Sequence, residues 1–173
     1  MSTFNNYFAF FGLPAQFEVD IPLLDRNYRK IQSEVHPDKF VSASPAERLQ
    51  SMQTATLANE AYQTLKQPTA RARYLLQLQG VETLEDSNTA MPTDFLMTQM
   101  EWREAIEEAQ AARDVPALES QLSLMKNTAK QLQASLAQAI EHDTAQAAQA
   151  VRKLSFIDKV CADVSAMISR IED

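Results

Sequence analysis

Residues 28–40 read YRKIQSEVHPDKF, a segment with helical spacing that runs into His36-Pro37-Asp38. Proline at position 37 disfavours α-helical geometry at His36, so the helix is predicted to end there. The sequence therefore predicts that His36 and Asp38, two groups capable of acid–base chemistry, are presented together on a loop.

The helix that precedes this loop has two contrasting faces. With about 100° between successive residues, its apolar residues share one face. These predicted core residues are Ile21, Leu24, Tyr28, Ile31 and Val35. Arg26, Arg29 and Lys30 lie on the opposite face. Charge alone fits either a solvated polar face or a binding surface beside the loop.

Composition predicts an all-helical class. The chain of 173 residues contains only two glycines, and 45% of its residues are hydrophobic, enough to bury a core. Few glycines leave little material for the tight turns that sheets need. The single cysteine, Cys161, excludes an internal disulfide and a cysteine-rich zinc site, and it is predicted to be a small core residue. A reducing, cytoplasmic location is therefore expected.

Charge is distributed unevenly along the chain. The net charge of −7 argues against a nucleic-acid partner. Residues 1–80 carry eight basic and seven acidic side chains, whereas residues 81–173 carry eight and sixteen. The two halves are therefore expected to meet different partners. No apolar run approaches the roughly 18 residues of a membrane span, so no membrane partner is expected.

Helix start and stop signals predict where the chain divides. Asp20, the SPAE capping box at Ser44–Glu47, and Asp143 are predicted to open helices. The segment 81–91 lacks periodicity and precedes Pro92, so it is predicted to be a linker. Three long helices follow, at about 93–113, 116–140 and 144–171, and their short connections favour an antiparallel bundle.

The first of these long helices carries two apolar faces. Phe95, Trp102, Ile106 and Ala109 form the stripe assigned to the core. Away from that stripe, an arc of about 140° combines apolar and acidic side chains. Its members are Leu96, Met97, Met100, Glu101, Glu104 and Glu108. This arc is either a binding surface for a basic partner or a face that a neighbouring helix covers.

The last helix shows a similar departure. Its predicted core stripe consists of Leu154, Ile157, Cys161, Val164, Ile168 and Ile171. Phe156 lies about 110° from the centre of this stripe. If the first and third bundle helices are adjacent, Phe156 is expected to join the arc of Leu96 and Met100.

Catalysis and metal binding are weaker interpretations of the two histidines. Residues on either side of a proline are expected to point apart, and no third group completes a site with His36 and Asp38. His142 lies in the other half of the chain, too far in sequence to suggest a shared metal site, and it is predicted to be a helix-end residue.

The first half resembles the J-domain, through which co-chaperones act on heat-shock ATPases. The resemblance rests on YRKI ahead of His36-Pro37-Asp38, on NEAYQTL in the following helix, and on a short leading helix. It implies that one set of residues docks on the ATPase and promotes hydrolysis of its bound ATP. These residues are Arg26, Arg29, Lys30, His36, Pro37 and Asp38.

The whole chain resembles the HscB family of bacterial co-chaperones for iron–sulfur cluster assembly. The additional motifs are PTARARYLLQLQG (68–80), DFLMTQMEWREAIEEA (94–109) and AVRKLSFIDKV (150–160). The resemblance implies a C-terminal domain that binds an IscU-type cluster scaffold and delivers it to an HscA-type heat-shock ATPase. The implied scaffold-binding residues are Leu96, Met97, Met100, Glu101, Glu104, Glu108 and Phe156.

The combined expectation is an all-α protein in which a J-domain helical hairpin is joined to an antiparallel three-helix bundle. The expected limits are 1–80 for the J-domain, 81–91 for the linker and 92–173 for the scaffold-binding domain. We expect a monomer with no catalytic residue, no metal and no cofactor. The rival hypotheses are a general J-domain chaperone for varied unfolded clients and a hydrolase that uses His36.

Overall fold

The computed structural model describes residues 5–85 and 91–173. Within these ranges the chain forms seven α-helices and one 3₁₀ helix, and no β-strand occurs there. The α-helices are α1 (Tyr7–Phe10), α2 (Ile21–Glu34), α3 (Pro45–Lys66), α4 (Pro68–Leu78), α5 (Thr93–Ala111), α6 (Val115–His142) and α7 (Thr144–Glu172); the 3₁₀ helix is Pro37–Phe40. The all-α prediction is confirmed. No helix of the described ranges is both long and apolar enough to traverse a bilayer.

The structure has helix starts at the positions that the sequence predicts. Asp20 and Asp143 each accept a hydrogen bond from a backbone N–H in the first turn of the helix that follows. Ser44 and Glu47 form the reciprocal capping box, in which each side chain accepts from the backbone N–H of the other residue. These side chains satisfy N–H groups that have no partner within the helix.

Gly80 ends α4. The Val81 N–H donates to the Leu76 carbonyl at 2.9 Å, and the Gly80 N–H donates to the Gln77 carbonyl at 3.0 Å. This pair of bonds requires the left-handed conformation at position 80, where φ is +76°. Glycine adopts that conformation without the steric cost that a Cβ atom brings.

The chain forms two compact units, Met1–Leu75 and Leu76–Asp173. The domain limits given by the sequence, 1–80 and 92–173, remain a prediction. Of the predicted linker 81–91, residues 86–90 lie outside the described part of the chain.

In the first unit, aromatic stacking and hydrogen bonding hold α2 against α3. The rings of Tyr28 and Tyr62 stack with centroids 4.0 Å apart and planes 7° from parallel. The Tyr62 hydroxyl donates to the Asp25 carboxylate at 2.7 Å. Ala61 and Leu65, one turn apart on α3, are fully buried. The NEAYQTL pattern thus supplies both the apolar and the polar contacts of this helical hairpin.

In the second unit, α6 packs against both α5 and α7. The α5 residues that are buried are those of the predicted stripe: Phe95, Trp102, Ile106 and Ala109. The α7 stripe is buried at Leu154, Ile157 and Val164. The connections between successive helices, at 112–114 and at 143, are short enough to require antiparallel neighbours.

Three residues of the predicted α7 stripe are half-buried rather than core residues: Cys161, Ile168 and Ile171. Cys161 precedes the fully buried Val164, whereas Ile168 and Ile171 lie near the end of the helix. Ile171 lies at the end of the bundle, where its carbonyl accepts a hydrogen bond from Arg113 Nη2 in the α5–α6 connection. A helix end has fewer neighbours to cover it, so burial fades there although the sequence pattern continues.

The segment that follows α4 is anchored to the second unit. Thr83 is buried, and its carbonyl accepts a hydrogen bond from Arg152 Nη1 of α7 at 3.0 Å. Gln79 Nε2 donates to the Ile140 carbonyl of α6 at 3.4 Å. The described first part of the predicted linker is therefore held by the bundle.

Replacing Trp102 with alanine is expected to destabilise the second unit by about 3–5 kcal/mol, because it empties a large buried site. Chemical unfolding followed by circular dichroism measures this loss, since the variant lacks the chain's single tryptophan as a fluorescent probe. Leu124→Ala, at an exposed leucine of α6, is the control and should change stability little. Equal effects of the two variants would contradict the assignment of Trp102 to the core.

The capping box predicts a pH effect at the start of α3. Hydrogen bonds from the Ser44 backbone N–H and hydroxyl lower the pKa of the Glu47 carboxyl. A lowered carboxyl pKa stabilises the fold above the unfolded-state pKa, and this contribution is lost as pH falls through the folded-state value. In Ser44→Ala, NMR titration should show the Glu47 pKa rising toward its ordinary value. An unchanged pKa would show that the hydroxyl has no part in the shift.

Candidate functional site

His36, Pro37 and Asp38 form a tight turn rather than an open loop. Pro37 begins the 3₁₀ helix, and His36 is its N-cap residue. The Lys39 N–H donates to the His36 carbonyl at 3.0 Å. The predicted end of the helix ahead of Pro37 is confirmed, and the connection to α3 contains this single 3₁₀ turn, because the fixed φ angle of proline suits the first position of a helical turn.

The sequence led us to expect that the side chains of His36 and Asp38 point apart. In the structure they lie close together. The Asp38 N–H donates to His36 Nδ1 at 3.2 Å, and Asp38 Oδ2 lies 3.6 Å from the same nitrogen. The 3₁₀ turn thus brings the backbone N–H of residue 38 to the imidazole. Because Nδ1 accepts this bond, a neutral ring carries its proton on Nε2.

This turn is open to solvent. The side chain of His36 is 58% exposed and that of Asp38 is 89% exposed. The arrangement suits contact with another macromolecule better than catalysis within this chain.

Hydrogen bonds to α2 and to α3 fix the start of the turn within the first unit. The Val35 N–H, at the end of α2, donates to the Ile31 carbonyl at 3.1 Å. The Val35 carbonyl in turn accepts a hydrogen bond of 2.9 Å from the hydroxyl of Ser51, a buried residue of α3. The residue that precedes His36 is therefore tied to both helices of the hairpin.

The cationic face of α2 is exposed at all three predicted positions, Arg26, Arg29 and Lys30. Leu24, on the opposite side of α2, is fully buried. The helix thus presents three cations to solvent from a fixed backbone, close in sequence to the His36–Asp38 turn.

In the second unit, α5 exposes much of the predicted apolar and acidic arc. Met97 is 59% exposed and Met100 is 64% exposed, whereas Leu96 is half-buried. The three glutamates of the arc are exposed: Glu101, Glu104 and Glu108. Within the described part of the second unit no helix covers the two methionines, so their side chains are open to solvent.

Phe156 has a double role. Its ring lies 5.9 Å from that of Phe95 in an edge-to-face arrangement and stacks on Trp102 at 6.5 Å. Phe95 and Trp102 also meet edge to face, with centroids 6.0 Å apart. Phe156 remains half-buried, so one side of it packs on core aromatics and the rest reaches the surface.

A groove of about 550 Å³ runs between α5 and α7, and we call it the α5–α7 groove. Its buried lining residues are Trp102, Ile106 and Val164. Its more accessible lining residues include Leu96, Met100, Arg103 and Glu107 of α5 and Phe156, Val160, Asp163 and Met167 of α7. The groove therefore joins Phe156 to Leu96 and Met100, as adjacency of α5 and α7 requires.

Val160 and Met167 also line this groove, and neither was among the predicted site residues. On a helical wheel they fall about 40° and 20° from Phe156, so the three residues form a stripe of their own. That signal was present in the sequence. Val160 was overlooked because it adjoins the core stripe, from which a single wheel does not separate it clearly.

The described ranges contain no cluster of three or more histidine, cysteine, aspartate or glutamate side chains arranged to hold a metal ion. His142 is the last residue of α6, as predicted. Cys161 is half-buried, and burial raises the pKa of its thiol, which disfavours the reactive thiolate.

Comparison with known proteins places this architecture in one family. Residues 91–165 match a family model described as the HSCB C-terminal oligomerisation domain. The co-chaperone protein HscB homolog of Paraburkholderia phymatum is 46% identical over 170 residues, covering 98% of this chain and 97% of that protein.

Two solved structures agree with this assignment. Chaperone HscB from Vibrio cholerae aligns with a TM-score of 0.84 and 40% identity, over 96% of this chain and 99% of that one. Human co-chaperone protein HscB aligns with a TM-score of 0.89 and 29% identity, over 96% and 83% of the two chains. The chain therefore belongs to the HscB family of co-chaperones.

Proposed function

We propose that this co-chaperone binds an IscU-type iron–sulfur cluster scaffold and delivers it to an HscA-type heat-shock ATPase, whose ATP hydrolysis it stimulates. The observation that carries the proposal is the presence of two different exposed surfaces on the two units. One combines the His36–Asp38 turn with three cations. The other combines exposed methionines with glutamates.

The first surface suits an acidic partner. Arg26, Arg29 and Lys30 would steer the encounter through long-range attraction, and the turn would supply the short-range contacts that fix orientation. Attraction alone only binds. To accelerate hydrolysis, the turn must favour the ATPase conformation that lies nearer the transition state, and each tenfold gain needs about 1.4 kcal/mol of differential stabilisation.

The second surface suits a folded partner with basic and apolar groups. Exposed methionines provide flexible apolar contact area, and the flanking glutamates select positive charge. A small surface of this kind supports one dedicated partner over varied unfolded clients, for which broader apolar area is expected.

Joining the two surfaces in one chain raises the concentration of the scaffold near the ATPase. The ATP chemistry in this proposal belongs to the partner, so the chain itself needs no catalytic residue and no cofactor. We further propose that it acts as a cytoplasmic monomer that contacts neither membrane nor nucleic acid. Its net charge of −7 disfavours binding to nucleic acid, and it also disfavours self-association.

Asp38→Asn tests the first surface. The substitution keeps the shape of the side chain but removes its charge, so stimulation of a purified HscA-type ATPase should fall at least tenfold. Scaffold binding, measured by calorimetry, should be unchanged because the affected residue belongs to the other unit. Glu18→Gln, at another exposed carboxylate, is the control and should stimulate normally. Loss of scaffold binding in the Asp38 variant would contradict the division of labour.

Met100→Ala and Leu96→Ala test the second surface. Each should weaken binding to an IscU-type scaffold about tenfold, since central apolar contacts dominate interface energies. Met100→Ala should melt like the native chain because that side chain is largely exposed. Phe156→Ala should lose both affinity and stability, since it also packs on Phe95 and Trp102. Leu124→Ala should bind normally; equal weakening by this control would refute a localised site.

A further inference from the structure

The α5–α7 groove extends beyond the residues assigned to scaffold binding. It begins at Leu96, Met100 and Phe156 and continues along α7 to Met167. Val160 and Met167 are apolar and only half-buried, although core positions are available on the same helix. Apolar side chains left partly uncovered in a groove favour an interaction site.

The dimensions of this extension suit a helical segment. From Phe156 to Met167, α7 rises by about 16 Å, the length of roughly three helical turns. Buried Trp102, Ile106 and Val164 line the groove together with more exposed side chains. An amphipathic helix placed in such a groove buries its apolar side chains at spacings of three and four residues.

The charge around the α5–α7 groove favours a basic segment over a second copy of this chain as its occupant. The groove is lined by two carboxylates, Glu107 and Asp163, and by one cation, Arg103. Exposed Glu104, one turn beyond Met100, adds a carboxylate beside the edge of the groove. A second copy of this chain is a poor occupant, because residues 81–173 carry sixteen acidic and eight basic side chains and two such bundles repel. A basic segment is attracted instead.

We propose that the scaffold protein places a basic, amphipathic helical segment along the whole α5–α7 groove, with Val160 and Met167 as contact residues at its far end. This inference rests on the proposed function, because it assigns the occupant to the same partner. It adds a second contact region on α7 and states what that region recognises: apolar side chains on one helix face, flanked by lysine or arginine.

The test measures the affinity of the full-length chain for a purified IscU-type scaffold by calorimetry. Val160→Ala and Met167→Ala should each weaken binding about three- to tenfold, and the double variant should weaken it further. Asp163→Lys, at an exposed position that folding does not require, should weaken binding most at low salt. Leu124→Ala, on α6, is the matched control and should leave affinity unchanged.

Leu96→Ala separates this inference from the proposed function. If Leu96→Ala weakens binding but the Val160, Met167 and Asp163 variants bind normally, the groove extension is wrong and the proposed function stands. If the unmodified chain does not bind scaffold, both fail. Sedimentation of the free chain tests whether a second copy occupies the groove. If the free chain is a dimer and the Val160–Met167 double variant is a monomer, the occupant is a second copy and the inference is overturned.

Discussion

The packing of Phe156 on Trp102 and Phe95 is the contact on which the surface of the second unit depends. Aromatic pairs of this kind contribute about 0.5–1.5 kcal/mol beyond the burial of their area. These rings bring α7 into direct contact with α5, while α6 packs on both helices. One side of the contact closes the core, and the other begins the α5–α7 groove.

In the first unit, the important feature is a turn that is rigid and yet exposed to solvent. A proline ends α2, a single 3₁₀ turn follows, and backbone hydrogen bonds hold His36 and Asp38 in a fixed but exposed arrangement. A rigid turn loses little conformational entropy when a partner binds it, so more of the contact energy is available to bias the partner's conformation. Such a turn fits the proposed regulation of a partner ATPase.

Much of this structure follows from the sequence because local rules and tertiary packing agree. Asp20, Ser44 and Asp143 cap helices where short-range chemistry places them, and the Phe95–Trp102 stripe is buried as its spacing predicts. The contact of His36 with Asp38 was not predictable from spacing, because it depends on side-chain rotamers and on the 3₁₀ geometry. The shape of the α5–α7 groove was not predictable either, because it depends on how the two helices pack, although the helical wheel of α7 already contains the stripe of Phe156, Val160 and Met167.

Methionine methyl NMR during titration with an IscU-type scaffold tests the central claim most directly. The account predicts that the methyl signals of Met97, Met100 and Met167 shift or broaden together. The signal of Met52, which is 66% exposed on α3 of the first unit, should remain unchanged. A scaffold that binds without perturbing the three methionines of α5 and α7, or that perturbs Met52 instead, would contradict the account.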